Sequence, residues 1–355
     1  MTEKDMSYRA LLDSLKKARL IRDDKAQSVA DRLHLEMDKP AAPLFIKFLI
    51  ALGAWCATIF FVAFLGFADL FKSGGGAFIG IGLPLIAVAT VLMRLAKGAG
   101  IFPAQLALAL NLTGHGAVLF GAAECAGEFT PVPWAMLLLY AVLYWPYNDA
   151  SYRFIGALAT TCLFTGWFLS ERELHHFIHV LVALETAGVV LLFPNPRAAL
   201  RPFAYGLALS LCATPLFVLM PDNELMTPIL PSGCVIVLGL IAVFYRIAAG
   251  CGKVKSEQFI IAVLAAAFLC FSTPGIPAAA MLITLGYWQD NKGLAGMGLL
   301  FLPAYIFAYY YNLNMTLLHK SFVLMGSGAV LILLKFLIGM RPWMKNAPAD
   351  ENGEQ

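Results

Sequence analysis

The chain has 355 residues, of which 60% are hydrophobic and only 13% are charged. Soluble domains carry about 25% charged residues, so this composition excludes an ordinary soluble protein. The formal net charge of +3 comes from dispersed basic residues, and such a distribution gives no indication of a nucleic-acid partner.

The first 42 residues differ in character from the rest of the chain. They carry both charge signs, and apolar residues recur at helical spacing from Leu11 to Ala18 and from Ala26 to Leu33. This pattern predicts a short soluble, amphipathic helical hairpin at 1–42, which serves either as a cytoplasmic cap or as a docking element for a partner. No cleavable signal peptide precedes the first apolar run, so we expect a cytoplasmic N-terminus.

Residues 43–341 consist of apolar runs separated by short polar loops, and a polar cytoplasmic tail is expected at 342–355. In hydrocarbon, runs of this length satisfy their backbone groups as helices. The sequence therefore predicts an all-α, polytopic transmembrane bundle of about twelve spans. The expected spans are 44–68, 76–93, 101–121, 131–146, 153–170, 177–193, 203–220, 232–249, 258–273, 275–289, 294–312 and 317–340.

Loop charges predict how these spans are oriented. An N-in/C-in arrangement puts eleven basic residues on the inner side and three on the outer side, as the positive-inside rule requires. The inner set is Arg94, Lys97, Arg153, Arg197, Arg201, Arg246, Lys253, Lys255, Lys292, Arg341 and Lys345, and the outer set is Lys72, Arg172 and Lys320.

The spans at 131–146, 258–273 and 275–289 are shorter than a full crossing. Pro274, Gly275 and Pro277 interrupt the last two, which predicts either a hairpin entering from one side or two helices meeting at a thinned boundary. Broken segments often mark substrate sites in transporters, but local bilayer thinning or burial inside the protein explains them equally well.

Two apolar stretches resemble each other at an offset of about 99 residues. They are "PAQLALALNL" (103–112) and "PFAYGLALSL" (202–211). The same offset superimposes four spans on the next four, so 101–193 and 200–292 are a candidate four-helix repeat. Chance similarity between apolar sequences is the alternative.

Glu185 is the ionisable residue that most needs an explanation. Eight residues of helix place it about 12 Å below the outer surface, where charged groups cost roughly 2.5–3.5 kcal/mol on insertion scales. We expect it either to pair with Lys320, near the same face of the last span, or to be protonated in a polar bundle interior.

Asn111 and His115 lie one helical turn apart in the third span. Such a pair can form a polar cleft or a proton relay, although polar residues in membrane bundles commonly just bond to neighbouring helices.

Glu171, His175 and His179 recur every four residues, the spacing that presents ligands to a metal from one helix face. Solvation at the membrane surface is the simpler interpretation of the same residues. No catalytic or cofactor-binding motif accompanies them, so we expect no cofactor and, on balance, no enzyme. Cys125 and Cys234 fall near the same predicted face, where a disulfide is conceivable if that face is oxidising.

Three stretches carry a resemblance to a known family: "PLFIKFLIALGAWCATIFFVAFLGF" at the first span, "PGIPAAAMLITLGYWQDNKGLAGMGLLFL", and "YYYNLNMTLLHKSFVLMGSGAVLILLKF". The chain resembles the bacterial multi-pass family catalogued as domain of unknown function 4401. The resemblance implies an inner (cytoplasmic) membrane protein and supplies no chemistry. It marks Tyr309, Tyr310, Tyr311, Thr316, Lys320 and Ser321 as a typical patch, with His319 where Gln is expected.

Three functions are compatible with these features. Many helices, an intramembrane acid and a weak repeat favour transport or flipping of a small, lipidic or anionic substrate. The alternatives are a non-catalytic scaffold that binds membrane or periplasmic proteins, and an intramembrane enzyme acting on lipid-linked substrates. Membrane lipids are partners in every case. The candidate substrate-path residues are Asn111, His115, Glu185, Pro274, Gly275, Pro277, Tyr309, Tyr310, Tyr311, Lys320 and Ser321.

Overall fold

A computed structural model describes residues 43–67, 74–96, 100–195, 197–218, 230–250, 252, 257–271 and 273–312, with isolated residues between 318 and 332. This part of the chain contains eleven α-helices and no strand, which confirms the predicted all-α class. The helices are α1 (Leu44–Phe67), α2 (Gly75–Leu95), α3 (Ile101–Ala126), α4 (Pro131–Leu143), α5 (Ala150–Ser170), α6 (Phe177–Leu192), α7 (Arg201–Val218), α8 (Leu230–Gly250), α9 (Glu257–Phe268), α10 (Gly275–Trp288) and α11 (Lys292–Asn312).

Four of these helices, α1, α2, α3 and α8, are long and apolar enough to cross a membrane. The chain is therefore an integral membrane protein with transmembrane helices. All eleven helices coincide with the first eleven predicted spans. The predicted hairpin at 1–42, most of the twelfth span at 317–340 and the tail at 342–355 lie outside the described residues, so the count of twelve crossings stays a prediction. The four-helix repeat at 101–193 and 200–292 also stays a prediction.

Local sequence signals set several helix boundaries. Asp149 caps the start of α5, because its carboxylate accepts a hydrogen bond from the Tyr152 amide at 2.8 Å. Pro131 occupies the first turn of α4, where its missing N–H costs nothing. Gly127 ends α3 in the left-handed region, with φ of 71°.

Helices α2 and α3 pack against each other through small residues at seven-residue intervals. A Cβ added to Gly82 would lie 2.7 Å from the Gly114 carbonyl oxygen, and one added to Gly75 would lie 2.7 Å from that of Gly121. The same antiparallel register places Ala89 opposite Ala107, and both are fully buried. Close approach of the two backbones therefore depends on these small residues.

Buried apolar side chains form two cores, and Phe203 of α7 packs against both. One core joins α2 and α3 to α4 and α5, and the other joins helices α6 to α11. Helix α7 contacts α5, α6, α10 and α11, so it lies at the centre of the bundle. It also carries Ser210 and Thr214, both buried, which places polar groups in the interior.

The break predicted at Pro274 separates two helices. Helix α9 ends at Phe268, a short 3-10 turn follows, and α10 begins directly after Pro274. Gly275 lies against the Tyr305 ring of α11 so closely that a Cβ there would overlap the ring. Since Gly275 and Pro277 are buried, the start of α10 is packed inside the protein.

Candidate functional site

A groove of about 480 Å³ lies between α4, α5, α6 and α7. Its walls are mainly aromatic and aliphatic, with Trp134 from α4, Phe164 from α5 and Leu184 from α6 among them. Trp134 and Leu184 are also exposed, Leu184 at 64%. Because these rim side chains are exposed, the groove is open at the surface of the helical bundle.

Glu185 lies on the lining of this groove and is itself only 1% exposed. It is close to the middle of α6, about 12 Å from the first residue and about 10 Å from the last. The Ser210 hydroxyl donates a hydrogen bond to its Oε1 atom, whereas Oε2 has no partner among the described residues. Lys320 lies outside those residues, so its pairing with Glu185 stays a prediction.

Threonine hydroxyls near Glu185 are mostly satisfied within their own helices. Thr160 donates to the Gly156 carbonyl at 2.7 Å, and Thr161 donates to the Ala157 carbonyl at 3.0 Å. Both threonines line the groove. Because their donors are already used, the groove surface keeps an apolar character, and Glu185 is the one carboxylic acid among its described lining residues.

Arg153 lies at one end of the groove face of α5. Ala157, Thr160, Phe164 and Phe168 line the groove at intervals of three or four residues, which places them on one helix face. Arg153 precedes Ala157 by four residues and therefore continues that face by one turn. From the loop charges alone, Arg153 is predicted only to be one of the basic residues on the inner side of the membrane.

The Arg153 side chain is 5% exposed and is bound by neutral groups alone among the described residues. Its guanidinium donates to the carbonyl oxygens of Ala199 at 3.3 Å and Tyr144 at 3.4 Å, and lies 4.8 Å from the centre of the Tyr144 ring. Its Nε atom has no described partner. Tyr140, which lines the groove, donates to the Arg153 carbonyl at 2.7 Å, connecting the groove to this arginine.

Asn111 and His115 form a second polar centre that does not line the groove. His115 Nδ1 lies 2.9 Å from the Asn111 carbonyl oxygen, and Nε2 lies 3.2 Å from the Tyr152 hydroxyl. A carbonyl can only accept, so Nδ1 carries the hydrogen and Nε2 accepts from Tyr152. The Asn111 amide is fully buried, and neither of its polar atoms has a partner among the described residues.

The expectation that Glu171, His175 and His179 share one helix face is wrong. Glu171 has extended backbone, a 3-10 turn follows it, and α6 begins only at Phe177. His179 is hydrogen-bonded to Ser232 of α8 at 2.6 Å. Across the described ranges, no three His, Cys, Asp or Glu side chains are grouped to hold a metal.

Other candidate residues lie apart from the groove lining. Tyr310 and the exposed Tyr311 end α11, and Ser321 is exposed, while the Tyr309 side chain, Thr316, His319 and Lys320 fall outside the described part. Tyr305 of α11 joins the buried start of α10 to α7, because it packs on Gly275 and donates a hydrogen bond to the Cys212 carbonyl.

The two cysteines suggested as a pair are both free thiols. Cys125, in α3, lies against Gly75 of α2, whereas Cys234 belongs to α8. The structure therefore gives no support to a Cys125–Cys234 disulfide.

The long apolar helices define an integral membrane protein, and the apolar groove beside a carboxyl group buried at mid-helix is a candidate ligand site in its helical bundle. The family model of domain of unknown function 4401 (DUF4401) matches residues 43–339, and the chain belongs to this family. This confirms the resemblance seen in the sequence. No curated protein and no solved structure matches the chain.

Proposed function

We propose that this protein is a transporter or flippase that moves a small lipidic substrate through the groove formed by helices α4 to α7. The observation that carries the proposal is that an apolar groove with an exposed apolar rim reaches a buried carboxyl group in the middle of a helix. Ionisable groups at such depth are expensive and are commonly retained for function. A scaffold that only binds partners at its surface does not need a carboxyl group buried in its interior.

The groove suits a small, mostly apolar molecule. Its volume of about 480 Å³ falls in the lower half of the range of roughly 300–1,000 Å³ that small-molecule sites span. Rim residues such as Leu184 and Val180 are exposed, so a substrate can enter directly from the hydrocarbon. Membrane lipids are thus the partners from which this substrate is drawn.

We further propose that the chain crosses a bacterial inner membrane about twelve times, with both termini in the cytoplasm. The loop asymmetry of eleven basic residues against three supports this orientation. In such a topology the Arg153 end of the groove faces the cytoplasm and the Phe168 end faces outward.

Transbilayer movement of fluorescent single-chain lipids tests the function. The full-length protein is reconstituted in liposomes with probes that carry neutral, cationic or anionic headgroups, and albumin extraction follows their appearance in the outer leaflet. We expect the protein to accelerate at least one probe, and Leu184→Trp to reduce that rate about tenfold by filling the groove.

Leu191→Trp is the matched control for this experiment. Leu191 lies two helical turns from Leu184 on α6, is comparably exposed at 58%, and does not line the groove. We expect this variant to keep the wild-type rate. If no probe moves faster than in protein-free liposomes, or if both tryptophan variants behave alike, the proposed function is wrong, and a scaffold or an intramembrane enzyme becomes the better explanation.

A further inference from the structure

We propose that Arg153 binds the anionic headgroup of a single-chain amphiphile whose hydrocarbon chain occupies the groove. This inference rests on the proposed function, since it assigns a substrate class to the same groove. It names a binding residue that the sequence presents only as one of many inner basic residues.

Arg153 carries a buried charge for which the described residues supply no counter-ion. The guanidinium is buried, and its described partners are two main-chain carbonyls and one aromatic ring. Both hydrogen bonds exceed 3.2 Å, whereas charge-assisted bonds to an anion measure about 2.7–2.9 Å. A buried charge is normally paired with an opposite charge, and here no described carboxylate does so. A phosphate or carboxylate headgroup would supply the missing charge and engage the unpartnered Nε.

Arg153 is also in line with the groove. It continues the groove face of α5 by one turn beyond Ala157, and Tyr140 contacts both the groove and the Arg153 carbonyl. From Arg153 to Phe168 the face is about 22 Å long. An extended chain with its charged end at Arg153 therefore lies along the aromatic wall and passes Glu185.

Other headgroups fit this arrangement less well. Glu185 is the only carboxyl group that lines the described groove, and it lies at mid-helix, so a cationic headgroup would have to leave the membrane surface to reach it. An uncharged headgroup would leave Arg153 without a counter-ion. The narrow volume favours one hydrocarbon chain, so a two-chain anionic phospholipid is the competing ligand that the experiment must separate.

Photo-crosslinking on the full-length protein in detergent tests the assignment. The probes are a diazirine-bearing hexadecyl phosphate, the matching hexadecanol and the matching hexadecylammonium, and labelled peptides are located by mass spectrometry. We expect the phosphate to label groove peptides at a concentration about tenfold lower than the alcohol. Arg153→Gln should abolish this preference for the phosphate, and Arg153→Lys should keep most of it. Arg197→Gln is the control: it removes an exposed cation near Ala199 and should not change the preference.

The possible outcomes distinguish a wrong headgroup assignment from a wrong assignment of the groove as the binding site. Equal labelling by phosphate and alcohol in the wild type, or stronger labelling by the ammonium, overturns the role of Arg153 while the groove stands. Displacement of the phosphate probe by two-chain phosphatidylglycerol as effectively as by unlabelled hexadecyl phosphate overturns the single-chain assignment. Absence of groove labelling by any probe overturns the groove and the proposed function together. Should Arg153→Gln fail to fold, the wild-type preference and its retention in Arg153→Lys decide the question.

Discussion

Replacement of Ser210 by alanine removes the described hydrogen bond to the Glu185 side chain. Ser210 is fully buried, its hydroxyl donates to Oε1, and Oε2 has no described partner. An unsatisfied buried acceptor costs about 1–3 kcal/mol, while measured couplings inside membranes average about 0.6 and reach about 1.7 kcal/mol. We therefore expect Ser210→Ala to lower the free energy of unfolding by about 1 kcal/mol.

Equilibrium unfolding in mixed micelles, with increasing sodium dodecyl sulfate, measures this free energy. In a Glu185→Leu background the acceptor is absent, so Ser210→Ala should then cost less than about 0.3 kcal/mol. Thr284→Val is the matched control, because the described partner of the Thr284 hydroxyl is the Ala280 carbonyl of its own helix, at 2.8 Å. Equal losses from Ser210→Ala in both backgrounds would refute the coupling between Ser210 and Glu185.

Two further pairs of variants test the packing that surrounds the site. Gly82→Leu should lower the free energy of unfolding by about 1–3 kcal/mol, because the backbones of α2 and α3 touch at this glycine. Gly53 has open space around it, so Gly53→Leu should stay within about 0.5 kcal/mol of wild type in the same unfolding assay. Tyr152→Phe should cost about 0.6–1.7 kcal/mol by removing the bond to His115. Tyr147→Phe should leave the free energy of unfolding unchanged, since the Tyr147 hydroxyl has no described partner. If the second variant of either pair destabilises the protein more than the first, the described contacts are contradicted.

Apolar runs predict the helices of this protein well because hydrocarbon leaves the backbone no alternative to internal hydrogen bonds. The predicted span at 131–146 corresponds to Pro131–Leu143, and the one at 294–312 corresponds to Lys292–Asn312. Exact ends depend on caps and turns, and hydropathy does not detect them.

Helix phase is harder to predict than helix position. Glu171, His175 and His179 have the spacing of one face only if the helix is continuous. The 3-10 turn at Arg172–Leu174 interrupts it, so the periodicity no longer applies. Neither the charges nor the hydropathy of this stretch marks that turn.

The groove could not be predicted because it depends on how four consecutive helices, α4 to α7, pack against one another. The depth of Glu185 follows from counting residues along one helix, but its bond to Ser210 depends on how α6 meets α7. One signal of the groove is nevertheless present in the sequence, because Arg153, Ala157, Thr160 and Phe164 share a helical period. That period places Arg153 in line with the aromatic face of α5 and distinguishes it from the other inner basic residues.

Carbodiimide labelling tests the placement of Glu185 most directly. Full-length protein in sealed vesicles is treated either with dicyclohexylcarbodiimide, which partitions into hydrocarbon, or with a water-soluble carbodiimide, and modified peptides are identified by mass spectrometry. The structure predicts that only the apolar reagent modifies Glu185, that Leu184→Trp slows this modification, and that the exposed Glu171 reacts with the soluble reagent. Modification of Glu185 by the water-soluble reagent as fast as Glu171 would contradict both the burial of this carboxyl group and the proposed access to the groove from lipid.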